Sequence, residues 1–470
     1  MSNIFQRYAW VGVLAFWLGA VLFLKLLHFD PYGIDEAAAQ ALLISWSAIE
    51  HIANPIVVLG APDFRGLLFA PVGLYWPGSI VAVKVFTAIV AFGAILLTYR
   101  WSQRVSGTES ALIASSLLLV APATFYQINS VGAGPYLLLL FGVGFFLYNK
   151  HIQSNRVING WYFLQLLNLA IATSIHPAAL AYPAALAWLW KEKPDNKSGQ
   201  RQVWIGIGLT VAFVLMMRYG WYGMNWLSNP LASIATTLFG PQDENIESLG
   251  WGLFPTALLI LILLFDGRNL FRDFMGRTLL LAIIFGLAAA DSGWAYLAVT
   301  LILFRGVPLL IAGNERLGQR SLAGQRGIAF VGILIVATTF MINDRILRMN
   351  IEIGLLSSQD NIIRTLATEL QDVKEPVNSS SQWPARTMLA TKHPAFPLPP
   401  AGNDNEILLR NIRGVRYILL DPYDEANKAL AANLAQLSGA TKTLSMEKRA
   451  VLIQVVHKDA GSRAPLAPSK

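Results

Sequence analysis

About eleven stretches of nearly unbroken apolar residues recur along this chain, and they constrain its fold more than anything else in it. They fall at 8–28, 80–99, 110–127, 135–149, 161–175, 178–190, 203–219, 251–265, 278–290, 294–304 (extending towards 312) and 327–342. A helix needs about 20 apolar residues to cross a hydrocarbon core, and the shorter runs suit tilted, paired or re-entrant helices. Only 14% of the residues are charged, where a soluble domain carries about 25%. The pattern predicts a polytopic α-helical membrane protein.

The basic residues say which way round it sits. Arg7; Arg100 and Arg104; Lys150 and Arg156; Lys191, Lys193, Lys197 and Arg201; Arg268, Arg272 and Arg277; and Arg316, Arg320 and Arg326 fall in alternate gaps between the apolar runs. Short loops rich in Lys and Arg stay on the cytoplasmic side. The N-terminus is therefore expected in the cytoplasm, and an odd number of helices puts everything after 342 outside. The net charge of +8 is accounted for by these loops. No basic stripe interleaved with aromatics is present, so nucleic acid is not an expected partner. The chain has no cysteine, which excludes disulfides, thiolate metal sites and iron–sulfur clusters. The run at 8–28 ends in Leu24-Lys25-Leu26-Leu27-His28-Phe29 rather than a small-x-small cleavage site, so it is expected to stay as an anchor.

Between the first two runs lies a long outer loop, 29–79. It opens Phe29-Asp30-Pro31-Tyr32-Gly33-Ile34-Asp35-Glu36, setting two adjacent carboxylates just past a membrane helix. Acids at that depth are costly in lipid and should face water or a cavity. Residues 35–52 carry apolar groups at Ala38, Leu42, Trp46, Ile49 and Ile52, the spacing of a helix lying flat in the interface. Asp35 and Glu36 would occupy its first turn, where acids suit the helix dipole. Residues 65–76 read as a second interfacial or re-entrant piece. A further outer loop, 221–250, holds Asp243, Glu244 and Glu247 with no Lys or Arg.

From about 350 the composition turns polar. The pattern predicts a helix at 351–373, a Pro- and Ser-rich loop at 375–405 with a short strand at 387–390, and a helix at 406–412. A buried strand at 415–420, a helix at 423–437 and a hairpin pairing 441–445 with 450–456 follow. The expected organisation is a membrane domain over 1–345, a small extracytoplasmic α/β domain over 350–458 and a loose tail over 459–470.

This order of features is similar to that of the GT-C superfamily of membrane glycosyltransferases. It resembles in particular the bacterial relatives of protein O-mannosyltransferases and of the lipid A aminoarabinose transferase. The residues that carry the resemblance are Asp35-Glu36 in the long first loop, Lys84 at the head of the second helix, and Ala121-Pro122-Ala123 within paired short helices; the outer α/β domain completes the layout. The likeness is strongest over 8–190. It implies a bacterial inner-membrane enzyme that takes a sugar from a polyprenyl-phosphate carrier and passes it, with inversion, to a hydroxyl on a lipid, glycan or protein acceptor. It implies Asp35 as the base, with Glu36 beside it, and Lys84 and Arg65 as partners of the lipid phosphate. The departing phosphodiester is a stable anion and needs charge stabilisation more than a proton. A cation or a divalent metal ion supplies that.

The sequence departs from the family in one place. Where a second acid is common, it reads Gln127-Ile128-Asn129-Ser130-Val131-Gly132-Ala133-Gly134-Pro135-Tyr136, and the next comparable turn holds His176-Pro177. Either Glu36, Glu50, His51 or Asp63 stands in, with Glu50, His51, Asp63 and His176 as candidate metal or supporting groups, or the scaffold persists without transfer. In the second case the chain would be an accessory subunit of an envelope membrane complex. Competing readings of single residues are a helix N-terminus for Asp35 and Glu36, a side chain snorkelling to the interface for Lys84, and a capped helix end for His176.

Overall fold

The structure, a computed structural model, describes Gly12 and residues 33–50, 65–219, 267–318 and 355–456, short gaps inside these ranges apart. The apolar runs at 251–265 and 327–342, the run at 8–28 apart from Gly12, and the loop 221–250 lie outside the described residues. The chain forms two compact units, Met1–Asp30 with Ala61–Arg348, and Pro31–Gly60 with Met349–Lys470. The long loop 29–79 is therefore divided. Its helix α1 (Glu36–Glu50) belongs with the C-terminal residues, and α2 (Arg65–Tyr75) with the apolar helices.

In the helical unit, local sequence sets the ends of each element. Helix α3 (Ile80–Ser106) begins at Ser79, whose hydroxyl accepts from the Ala82 N–H at 3.2 Å, and stops at Gly107, where φ is 86°. Such an angle suits glycine alone among the common residues. Helices α4 (Thr108–Leu119) and α5 (Pro122–Asn129) follow, with Pro122 in the first turn, where a missing N–H costs nothing. Next come α6 (Ala133–Gln153) and α7 (Gly160–Ile175), the latter capped by the Asn159 side chain on the Tyr162 N–H at 2.9 Å. After a 3-10 turn at Pro177–Leu180 come α8 (Ala181–Lys191), α9 (Lys197–Tyr219), α10 (Phe274–Ala288) and α11 (Gly293–Gly318). Helix α3 packs on α4 and α6, α6 on α7, α7 on α9, α8 on α10 and α10 on α11, while α11 returns to α4.

Among the described helices α3 is long and apolar enough to cross a membrane by itself, and α4 with α5 is so as a bent pair. The outward faces match a lipid solvent. Ile205, Leu209, Phe213 and Met216 form an exposed apolar stripe on α9, and Trp161, Phe163, Leu164 and Leu167 are exposed on α7. In water, contiguous patches of this kind would drive association.

In the other unit, helix α12 (Leu355–Leu370) leads into a five-stranded sheet of order β2-β1-β3-β5-β4. The elements run β1 (Ser379–Ser381), α13 (Pro384–Thr391), β2 (Ala395–Phe396), α14 (Asn405–Asn411), β3 (Tyr417–Leu420), α15 (Glu425–Gln436), β4 (Thr441–Glu447) and β5 (Ala450–Val455). β1 pairs in parallel with β2 and β3, while β5 is antiparallel to β3 and β4. Both faces are covered. Tyr417 and Leu419 pack with Ile362, Ile363 and Leu366 of α12, and Ile418 and Leu420 with Leu408 of α14 and Leu430 and Leu434 of α15. A strand buried on both sides reads as a continuous apolar run, which is why 415–420 is recognisable in the sequence.

One expected element is different. Residues 387–390 lie inside helix α13, where Pro384 sets the first turn, and the strand is the preceding Ser379-Ser380-Ser381. Serine has little strand propensity. These three hold their place through side-chain bonds: Ser379 to the Pro394 carbonyl at 3.2 Å, Ser380 to the Pro397 carbonyl at 2.9 Å, and Ser381 to the Thr387 hydroxyl at 2.9 Å.

Candidate functional site

The acidic turn sits at the head of α1. Asp35 is its cap: the carboxylate accepts from the Ala38 N–H, and the backbone carbonyl accepts from the Ala39 N–H at 3.0 Å. The Asp35 side chain is half-buried. The helix that follows buries Ala38, Ala39, Ala41, Leu42, Leu43 and Trp46 inside the protein. That arc is wider than the single face an interfacial helix sinks into lipid.

Glu36 points elsewhere. One carboxylate oxygen accepts from the Ala385 N–H at 2.7 Å and the other from the Arg386 N–H at 3.1 Å. Those amides lie in the first turn of α13, where no intrahelical carbonyl can reach them. Trp383, at the cap position, supplies no side-chain bond, and Pro384 has no N–H. Glu36 thus caps α13 from outside that helix. Arg386 is held in turn by α12: its guanidinium donates to the Gln359 side chain at 2.6 Å and pairs with Asp360. Burial pushes the Glu36 carboxyl up from its ordinary 4.5 to about 7. The two amides and the Arg386 charge pull against that rise, and the Asp35 charge adds to it.

In the helical unit the two predicted cations are both buried, Arg65 and Lys84 each at 2% exposure. A lysine snorkelling to an interface keeps its ammonium in the open, and Lys84 does not. The Arg65 guanidinium donates to the Val131 carbonyl at 3.0 Å. One turn further along α2, Phe69 sets its ring edge-on against Tyr136 of α6, centroids 5.8 Å apart. The Tyr136 hydroxyl bonds the Thr87 hydroxyl at 2.6 Å, and Thr87 lies three residues after Lys84 on α3. That spacing puts Lys84 and Thr87 on one face of α3.

The turn between α5 and α6 is built tightly around the Arg65 contact. Val131 adopts φ 57°, the left-handed region, which costs an L-residue about 1–2 kcal/mol. Gln127 braces the turn: its backbone carbonyl accepts from the Gly132 N–H at 2.8 Å, and its side-chain oxygen accepts from the Gly134 N–H at 3.0 Å. A Cβ on Gly132 would lie 2.2 Å from that oxygen, so a side chain there would have to displace the Gln127 brace. Where a second acid was looked for, the chain presents neutral amide and carbonyl groups. Thr87, Gln127, Tyr136 and Arg386 give no sign of these roles in the sequence, because each partner is remote or presented by a turn.

His176 is 8% exposed and caps the 3-10 turn, its Nδ1 accepting from the Ala178 N–H at 3.0 Å. His51 and Asp63 lie outside the described residues, as does the side chain of Glu50. Among the described residues no group of three or more His, Asp or Glu stands together as a metal site.

Packed apolar helices, a long first loop led by an acidic turn, and a C-terminal α/β unit make up a fold that solved GT-C glycosyltransferases share. Over 98% of its length the chain superimposes on the whole of apo ArnT, the lipid A aminoarabinose transferase, from Cupriavidus metallidurans, at TM-score 0.51 and 14% identity. Over 87% of its length it matches 67% of the oligosaccharyltransferase of Archaeoglobus fulgidus in complex with Zn and sulfate, at TM-score 0.52 and 14% identity. The undecaprenyl-phosphate complex of the same ArnT superimposes at 0.48, with 13% identity over 98% of this chain and all of that one. At such identities the likeness establishes the fold. The sequence matches no protein-family model and no curated protein.

Proposed function

We propose that this protein transfers a sugar from a polyprenyl-phosphate carrier to a hydroxyl acceptor on the outer side of a bacterial inner membrane, with Asp35 as the base. The observation that carries the reading is the position of Asp35 on this fold: a half-buried carboxylate at the head of the first outer-loop helix. In the step, the acceptor oxygen forms a bond to the anomeric carbon as Asp35 takes its proton. The bond from that carbon to the phosphate oxygen breaks, and its electron pair leaves on polyprenyl phosphate. Attack opposite the leaving group inverts the anomeric centre. Arg65 and Lys84 are the cations assigned to the phosphate, where fixed positive charge favours the departing anion. On this reading the eleven apolar segments span the membrane, the N-terminus is cytoplasmic and the α/β unit periplasmic.

The neutral turn at Gln127–Tyr136 favours a second reading, a GT-C scaffold that serves as an accessory subunit without turnover. One assay separates the two. Purified full-length protein in nanodiscs is given undecaprenyl-phosphate aminoarabinose, mannose or glucose with lipid A or a Ser/Thr-containing peptide, and release of undecaprenyl phosphate is followed. Transfer by the wild type that Asp35→Asn abolishes supports the transferase. No release with any pair supports the scaffold.

A further inference from the structure

We infer that Glu36 is a positioning residue for this transfer, and that the α/β unit serves the reaction by holding the turn that carries Asp35. The inference rests on the transferase reading above. It starts from the topology of the sheet. β1 lies between β2 and β3, and the connections on its two sides cover opposite faces. Ala390 of α13 packs on the face shared with α12, while Leu408 of α14 lies on the other. In open α/β sheets this is the place, beyond the carboxyl ends of the strands, where ligands are seated. A helix N-terminus at that place is suited to an anion. Here the anion is the chain's own: the Glu36 carboxylate takes the Ala385 and Arg386 amides. The rest of that edge is closed by side chains. Gln382 donates to Asp424 at 2.7 Å and accepts from the Asp421 N–H and the Asn427 side chain, both at 2.8 Å. A position that could receive a free ligand is used to hold α1.

Adjacent residues have Cα atoms about 3.8 Å apart, so fixing the Glu36 carboxylate at two points fixes the backbone of Asp35. The choice of residue supports this. A neutral side chain could cap α13 without the cost of burying a carboxylate, a cost visible in its raised pKa. Buried ionic groups are costly for stability and serve best to fix one arrangement against others. The charged groups facing Glu36 are Asp35 on its own turn and Arg386 on α13, with Asp360 of α12 behind Arg386.

The test uses full-length protein in nanodiscs with undecaprenyl-phosphate aminoarabinose and lipid A, alongside hydrogen exchange at Ala385 and Arg386. Glu36→Ala is expected to lower kcat about 10- to 100-fold, the scale on which a displaced catalytic group loses rate. The donor KM should stay within about twofold, and exchange at the two amides should quicken about tenfold. Glu36→Gln keeps an acceptor and should recover kcat to within about fivefold. It should also leave exchange at the two amides within about twofold of wild type. Should Glu36→Ala fail to fold, the Gln variant alone decides, since a kcat lowered tenfold or more with exchange at the two amides unchanged overturns the inference. Faster exchange with kcat unchanged also overturns it, leaving Glu36 a structural cap only. If Asp35→Asn is as active as wild type, the transferase reading itself falls, whatever the Glu36 variants do.

Discussion

Each unit answers a sequestered charge with backbone groups, and Arg65 in one and Glu36 in the other, of opposite sign, are handled differently. The helical unit encloses cations, with Arg65 answered by a backbone carbonyl on a strained turn. The α/β unit encloses an anion, with Glu36 answered by two backbone amides at a helix start. Arginine cannot shed its proton in a protein, so its surroundings must supply an acceptor, and here the Val131 carbonyl does so. A carboxyl can take up a proton, and Glu36 responds to burial by becoming a weaker acid. Glu36 is therefore expected to respond to pH near neutrality.

The largest expected effect tests whether the acidic turn reaches the chemistry at all. Asp35→Asn should lower transfer about 10²- to 10⁴-fold, the range associated with a general base, read as release of undecaprenyl phosphate. Next is the pH response. The folded Glu36 carboxyl, at about 7, lies above its unfolded value of 4.5, so the folded state holds the proton more tightly. Its contribution to stability is fullest below 4.5 and falls as pH rises towards 7, a loss of about 3 kcal/mol. Hydrogen exchange at Leu419 across this window should show that decline in the wild type and a flat profile in Glu36→Gln. The helical unit should show no matching trend at Arg65. There, Arg65→Ala should cost about 1.5–3 kcal/mol by removing a charged hydrogen bond, seen as a lower melting midpoint. Gly134→Ala should cost about 1–3 kcal/mol, because the added Cβ would lie 2.8 Å from the Tyr296 ring and 2.9 Å from the Gln127 side-chain oxygen. Smallest is Thr87→Val, at about 1 kcal/mol for the hydroxyl pair with Tyr136.

What could be read from the sequence was local. Ser79 and Gly107 mark the ends of α3, Asn159 the start of α7, and the apolar run at 415–420 a strand covered on both faces. The hairpin 441–456 follows its alternation and turn. Asp35 and Glu36 were recognisable as a helix start, but their separate roles were not. One caps its own helix; the other caps a helix 349 and 350 residues away. No window of sequence carries that pairing. The strand Ser379–Ser381 was hidden for a similar reason, its serines being held by carbonyls and a hydroxyl that only the folded chain brings near. Lys84 gives the same sequence signal whether it snorkels or is enclosed, and only its burial decides.

The distance along the chain between Glu36 and its amides also sets a timetable. Ribosomes add about 5–20 residues per second, so α1 is made roughly 20 to 70 seconds before the segment that receives it. During that interval the first loop has emerged with its docking partner still unmade. Whatever insertase or chaperone attends the nascent chain must keep this helix available until translation is almost finished. A ribosome that stops short of residue 385 would leave it without a place to settle.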